Sequence, residues 1–235
     1  MDRINTAYEY GELLNYPGGG PAMLKDTILY NLGMRIDHTA LVDFNGFRMI
    51  VDTLGGIDVP VYCPYTDWRL IAPDLDPENE NNWSLYTVEP GMIHMDGDLA
   101  LWYARSRKKS SDFDRGRRSQ EVIRALYNRG MQMNALAKIP ELYGDLNSNV
   151  STDLTLADIL ALAPLAFHLN NADIRSYYIG RDHVTSWTTP LGAAVLLPNA
   201  VAVQGLMQEA LSASATMEEE TIRVEVRNGT SNPAW

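Results

Sequence analysis

Apolar positions recur with helical spacing in several separated stretches of this chain, and shorter apolar or alternating runs lie between them. In PAMLKDTILYNLG, Met23, Leu24, Ile28, Leu29 and Leu32 predict an amphipathic helix from Pro21, with Gly33 as its stop. The preceding Pro17-Gly18-Gly19-Gly20 reads as a turn, because no Lys-Ser/Thr pair follows to make it a phosphate loop. His38 to Phe44 predicts a buried strand, and Asn45 a cap for a helix that places Phe47, Ile50, Val51 and Leu54 on one face. Gly55-Gly56 ends that helix, and Ile57 to Tyr62 returns as a strand whose Pro60 suits a sheet edge. Strand, helix, strand is the mark of an α/β fold.

Downstream the rhythm changes. Cys63 to Gly91, with four prolines and an Asn/Glu-rich tract, predicts a surface flap or hairpin insertion. Its Asp74, Asp76, Glu78 and Glu80 lack the Gly and distal Glu of a calcium loop and read as a solvated acidic loop. Asp96 caps a helix with Leu99, Trp102 and Tyr103 on one side. Further helices are expected from about Phe113 to Arg129, Met131 to Leu146, Thr155 to Leu169 and Pro198 to Leu211, the third opened by Thr152-Asp153. Strands are expected at Ala172 to Gly180 and Thr221 to Thr230.

With 235 residues, 46% of them hydrophobic, the chain can bury one substantial core. Its formal charge of -11 argues against nucleic acid as a partner. Cys63, the single cysteine, excludes an internal disulfide and reads as a small buried filler. Nor is there a run of about 18 apolar residues, the length that would cross a membrane.

Charge matters most where it departs from that acidic background. Seven of the nineteen Lys and Arg residues fall in YARSRKKSSDFDRGRRSQ, Tyr103 to Gln120, opposed only by Asp112 and Asp114. The positive field is therefore local, and an anion is the expected partner. At about 100° per residue, Arg115, Arg118 and Ser119 continue the stripe of Val122, Ala125 and Leu126, whereas Arg117, Gln120, Glu121 and Arg124 face solvent. Unpartnered buried guanidinium groups cost several kcal/mol each, and a helix N-terminus favours a phosphate at the same place. Arg105 and Arg107 leave the preceding helix close by. Four arginines around one volume suit a pyrophosphate, with Lys108, Lys109 and Arg117 as surface charge.

GDLALWYARSRKKSSDFDRGRRSQEVIRAL resembles the arginine-rich signature of the LytR-CpsA-Psr family, A-L-x-Y-x-R-x-R followed by D-x-x-R-x-x-R-Q. RINTAYEYGE is similar to its I-N-x-A-Y-x-Y-G segment, and VDFNGFRMIVDTLGGIDV to its F-x-G-F-x-x-x-V-D-x-L-G-G-V-x-V motif. The resemblance implies an α/β/α sandwich with a central mixed sheet flanked by helices. It implies a catalytic domain at 1–130, its helical continuation at 131–215, and the start of a LytR-type C-terminal domain at 221–235.

Such proteins are phosphotransferases that move an anionic cell-wall glycopolymer from a polyprenyl pyrophosphate carrier onto peptidoglycan, outside the cytoplasm and at the membrane surface. By resemblance, Arg105, Arg107, Arg115 and Arg118 hold the pyrophosphate, and Arg105, Arg107 and Asp112 are the catalytic candidates. Asp112 is either a base or a hydrogen-bond anchor for an arginine, and the helix N-cap falls to it or to Asp114. Ser119 stands where the family has Gln. The family's anchor, metal-binding aspartates and S-x-P-R-D arginine are not found ahead of the I-N-x-A-Y segment, so the expectation is an N-terminally truncated member without its own Mg2+ ligands. The alternative reading is a non-catalytic binder of the lipid-linked polymer.

Overall fold

A computed structural model describes residue 4 and residues 6–133, 150–168, 174–190, 192 and 194–212. In chain order the elements are α1 (Thr6–Leu13), α2 (Gly19–Leu32), β1 (Ala40–Val42), α3 (Phe44–Thr53), β2 (Ile57–Val61), β3 (Tyr65–Leu70), β4 (Trp83–Val88) and β5 (Gly91–Met95). They continue with α4 (Gly97–Arg105), α5 (Asp112–Gln132), β6 (Val150–Thr152), α6 (Leu156–His168), β7 (Val184–Thr188), β8 (Ala194–Pro198) and α7 (Ala200–Leu211). The architecture is mixed α/β, as the alternation of patterns predicts.

The described strands pair two by two and antiparallel, β1 with β6, β2 with β5, β3 with β4 and β7 with β8, so they do not merge into one central sheet. Pro60, opposite Met92 in the β2–β5 ribbon, offers no amide to a further strand. β1 is only three residues long, with all three side chains exposed, shorter and less buried than the run from His38 to Phe44 suggests.

The core gathers where β2 meets the helices. Ile57, Val59 and Val61 point inward from alternate positions of β2 and meet Val51 of α3, Met95 of β5, Ala100 and Tyr103 of α4, and Val122 and Ala125 of α5. Helices α3 and α4 touch through Gly97, where a Cβ would lie 2.6 Å from the Arg48 carbonyl oxygen. The Gly97 amide also donates to Asp52 Oδ1 at 2.8 Å. At the far end, Arg129 Nε donates to the Leu54 carbonyl at 2.9 Å, tying α5 to the turn before β2.

Several boundaries depart from expectation for local reasons. Asp43, not Asn45, caps α3 by accepting from the Gly46 amide; Asn45 Oδ1 instead accepts from Arg48 Nη1 at 3.1 Å. Ser111 caps α5 in a reciprocal box with Asp114, so neither Asp112 nor Asp114 is the N-cap. Thr155, paired in the same way with Asp158, opens α6. Cys63 is exposed, because β2 ends at Val61 and the cysteine falls in the bend before β3. Residues 174–180 join none of the described sheets; Arg124 and Gln120, expected on a solvent face, donate to the Ile174 and Tyr177 carbonyls of that segment. The flap becomes the β3–β4 hairpin. Most of the helix expected from Met131 to Leu146 and the whole strand expected from Thr221 to Thr230 lie outside the described residues.

The connection from α4 to α5 is fixed from inside the protein. Arg118 is 1% exposed, and its guanidinium donates to the Tyr103 carbonyl, to the Ser106 carbonyl at 2.5 Å and to Ser110 Oγ at 2.9 Å. It stacks 3.8 Å from the centroid of the Tyr65 ring. The Tyr65 hydroxyl reaches Asp67 Oδ2 at 2.8 Å and accepts from Ser106 Oγ at 3.1 Å. Asp67, also 1% exposed, accepts the Lys108 amide at 2.9 Å. Burial depresses the Arg118 pKa, while Tyr65, Tyr103 and Asp67 act in the opposite sense.

Arg118→Ala should leave several buried acceptors without a donor and lower the unfolding free energy by about 3 kcal/mol or more, measurable by urea denaturation. A second tie is at the other end of the fold, where Asp153 accepts from Lys25 Nζ and from the Thr39 amide, each at 2.8 Å. These bonds hold its carboxyl well below the ordinary aspartate range, the Lys25 contact first. The native state therefore binds that proton less tightly than the unfolded chain. The stabilisation is present above about pH 4 and is lost as pH falls below it. Asp153→Asn should flatten this acid limb in unfolding midpoints recorded from pH 6 to pH 3.

Candidate functional site

The cationic stretch is brought against α3 and the β3–β4 hairpin around a cavity of about 480 Å3 lined by cationic, aromatic and aliphatic residues, with Asp67 and Asp98 among them. Arg105 is the last residue of α4, and extended backbone at Ser106 carries the chain on to Arg107. Arg105 and Arg107 both line the cavity, together with Arg48 from α3, Arg69 from β3, and Lys108. Trp68, Trp83 and Trp102 supply the aromatic part of the wall.

These cations differ in their partners. Arg48 Nε pairs with Asp98 at 2.5 Å. Asp112 stands between Arg107 at 2.9 Å and Arg115 at 3.2 Å. The guanidinium of Arg105 lies 3.6 Å from the centroid of the Phe44 ring, that of Arg69 lies 4.8 Å from Tyr86, and Lys108 Nζ lies 5.1 Å from Trp83. Among the described residues, none of Arg105, Arg69 and Lys108 forms an ion pair with a carboxylate. The Arg105 pKa is lowered, first by burial and then by the neighbouring charges of Arg48 and Arg115. A guanidinium so placed stays charged, and its like-charged surroundings favour an anion between them.

The four sequence candidates therefore separate. Arg105 and Arg107 face one cavity. Arg115 stands beside it, joined to Arg107 through Asp112. Arg118 lies behind it and holds the loop from Ser106 to Ser110. Arg117 pairs with Glu121 at 2.7 Å one turn on, as its wheel position predicts. Ser119 turns inward to donate to the Ala104 and Arg115 carbonyls, each at 3.0 Å.

Lys108, expected as surface charge, lines the cavity instead. Arg48 and Arg69 were not anticipated, because they are distant in sequence from the basic cluster. Arg48 had one available signal, its place inside the NGFRMIVDTLGG segment.

Tyr103 is pushed up to about 12, first by burial and then by Glu121, so it stays protonated near neutrality. Beyond the Tyr65 ring a second cavity, of about 380 Å3, is lined among others by Lys109, Ser110, Asp114, Arg117 and Arg118. Among the described residues no three of His, Cys, Asp or Glu are placed to hold one metal ion. The carboxylates nearest the first cavity are engaged elsewhere, Asp98 by Arg48, Asp112 by two arginines and Asp67 by Tyr65 and the Lys108 amide. This set does not fit Mg2+, and its chemistry is that of guanidinium groups.

The chain as a whole is similar to known proteins. The LytR_cpsA_psr family matches residues 1–211. A polyisoprenyl-teichoic acid–peptidoglycan teichoic acid transferase TagU of Bacillus licheniformis is 30% identical over 161 residues, 68% of this chain and 45% of that protein. The corresponding transferase TagV of Bacillus subtilis is 33% identical over 162 residues, 68% of this chain and 37% of that protein. The chain thus spans less than half the length of these two curated relatives. The crystal structure of B. subtilis TagV superposes with a TM-score of 0.65 at 26% identity, covering 89% of this chain and 74% of that one. No helix among the described residues is long and apolar enough to cross a membrane. With its arginine-rich signature, its fold and nine-tenths of its length all matched, the chain belongs to the LytR-CpsA-Psr family.

Proposed function

We propose that this chain acts in the transfer of an anionic cell-wall glycopolymer from a polyprenyl pyrophosphate carrier to peptidoglycan, with the pyrophosphate held in the cavity of about 480 Å3. The observation that carries the reading is the set of cations on that wall, Arg105, Arg69 and Lys108, which have no carboxylate partner among the described residues while Arg48 and Arg115 add to the field at Arg105. The names of the relatives support the substrate class. Such a reaction takes place where the lipid carrier and peptidoglycan meet, at the outer face of the membrane.

In the proposed step an acceptor hydroxyl attacks the phosphorus that bears the glycopolymer. The new P–O bond replaces the bond to the bridging oxygen, polyprenyl monophosphate leaves with the electron pair, and the hydroxyl proton passes to solvent. Negative charge grows on the leaving oxygens, where guanidinium groups stabilise it most. Arg105 meets that charge directly. Asp112 acts as an anchor that keeps Arg107 and Arg115 aimed together, and Arg118 acts from behind by holding their loop.

Purified chain supplied with the lipid-linked polymer and peptidoglycan tests the reading, with and without Mg2+. Transfer of the polymer supports the phosphotransferase, whereas retention of the lipid without transfer supports a binding protein. In direct binding of polyprenyl pyrophosphate, Arg105→Ala and Arg115→Ala should each weaken affinity about tenfold or more, the loss of one charge-assisted contact. Arg117→Ala should change it less than about twofold, since that side chain is paired with Glu121 at the surface. Equal losses for all three would refute the assignment of the cavity.

A further inference from the structure

The second cavity, of about 380 Å3, carries charges that the transfer step does not use. The loop between α4 and α5 contributes to both cavities: Arg107 and Lys108 line the first, whereas Lys109 and Ser110 line the second. Arg118 borders the second and not the first. Its Nη1 and Nη2 are taken by α4 and the loop. Its Nε, however, is a buried donor with no hydrogen-bond partner among the described residues. A donor buried in that way is costly until an acceptor reaches it.

Charges of both signs meet at this cavity. Lys109 is exposed, and among the described residues its ammonium has neither an ion pair nor a hydrogen bond. Arg117 adds a second cation at the surface, with Nη1 given to Glu121. Facing them in the same lining is Asp114. Its Oδ2 accepts from the Ser111 amide at 3.2 Å and from Ser111 Oγ at 2.6 Å, while its Oδ1 accepts from no described residue. The Ser111 bonds hold its carboxyl below the ordinary aspartate range, so it is ionised at neutral pH.

Ligand chemistry follows from this arrangement. A lipid chain would find only Pro64 and two tyrosine rings as apolar lining. A phosphate would use the cations and be opposed by Asp114. A molecule with both a carboxylate and an ammonium satisfies every charged group at once, and electrostatic complementarity of that kind confers specificity. The volume lies in the range of small-ligand sites.

We propose that this cavity takes a peptide segment bearing a carboxylate and an ammonium group, the carboxylate toward Lys109, Arg117 and Arg118 and the ammonium toward Asp114. Peptidoglycan carries short peptides of that chemistry. Naming the acceptor as the occupant rests on the transferase reading above and deepens it. The acceptor's peptide is held on one side of the loop and the donor's pyrophosphate on the other, with Arg118 fixing the loop between them.

Cys63, the single cysteine, is exposed and lines the same cavity, so its alkylation reports occupancy. The full chain is treated with iodoacetamide at fixed pH and ionic strength, and the rate is followed by mass spectrometry as a probe is titrated in. The probes are L-alanyl-γ-D-glutamyl-L-lysine, its N-acetylated form and inorganic phosphate. The free tripeptide should protect Cys63 saturably, at a concentration about fivefold or more below that of the other two, the scale of one exposed charge contact. Lys109→Ala should raise its half-protecting concentration about fivefold, and Asp114→Asn should remove the preference for the free over the acetylated form. Absence of saturable protection, equal protection by phosphate, or a Lys109→Ala curve equal to wild type overturns the site; polyprenyl pyrophosphate binding that still responds to Arg105→Ala then keeps the transferase reading. Protection of Cys63 in a chain that neither binds nor transfers the lipid-linked polymer overturns the transferase reading and the acceptor assignment, and leaves the charge pairing in this cavity standing.

Discussion

A guanidinium removed from water must find acceptors, and the structure around Arg118 is organised by that requirement. The last carbonyls of a helix lack partners within the helix, and α4 leaves the Tyr103 carbonyl, with the Ser106 carbonyl just beyond it, for the buried arginine of α5. One side chain thereby ends α4, sets the direction of the loop and seats the first turn of α5 against it. Ser110, Tyr65 and Asp67 complete the arrangement from the loop and from β3. Because the loop is held from inside, Arg105 and Arg107 reach the cavity without each having to be ordered by the ligand. Less conformational entropy is then lost on binding.

The same constraint explains how the sequence reads well in one place and poorly in another. The helical wheel assigns Arg118 to the stripe of Val122 and Ala125, and all three are buried; Arg115, assigned to the same stripe, is 40% exposed instead, and Glu121, assigned to the solvent face, only 12%. It does not report what a buried cation touches. An inward arginine can face a ligand or the protein's own carbonyls, and only the extended turn at Ser106 places those carbonyls within reach. Arg48 and Arg69 were illegible for a related reason. They join the site through the close crossing of α3 and α4 at Gly97 and through the β3–β4 pairing, contacts between segments far apart in sequence. Local signals did better. The stop at Gly33 and the cap at Asp96 depend on neighbouring residues alone, and both are observed. The cap of α5 was missed by one residue, because Ser111 and Asp114 satisfy each other while Asp112 faces the arginines.

Charge works at two ranges here. The chain as a whole is acidic, at -11, so a negatively charged polymer is repelled from most of its surface and attracted to one face. Screening at physiological salt shortens both effects to about 8 Å, which leaves the contacts inside the cavity as the selective ones. There Arg48 and Arg107 pair with Asp98 and Asp112, whereas three cations lie over aromatic rings instead, Arg105 over Phe44, Arg69 over Tyr86 and Lys108 over Trp83. A ring orients a cation without neutralising it. An ion pair in the same position would have fixed the side chain and removed the charge that an anion needs.

Strand β3 joins these two requirements in alternate residues. Neighbouring side chains on a strand point to opposite faces, and here Tyr65, Asp67 and Arg69 share the face that carries the buried network, whereas Trp68 lies on the other and is partly exposed. The carboxylate that holds the Lys108 amide and the guanidinium of Arg69 are therefore set by the same strand. Burial and charge are thus joined on one strand, because the residue that fixes the Lys108 backbone and a cation of the cavity stand two positions apart on it.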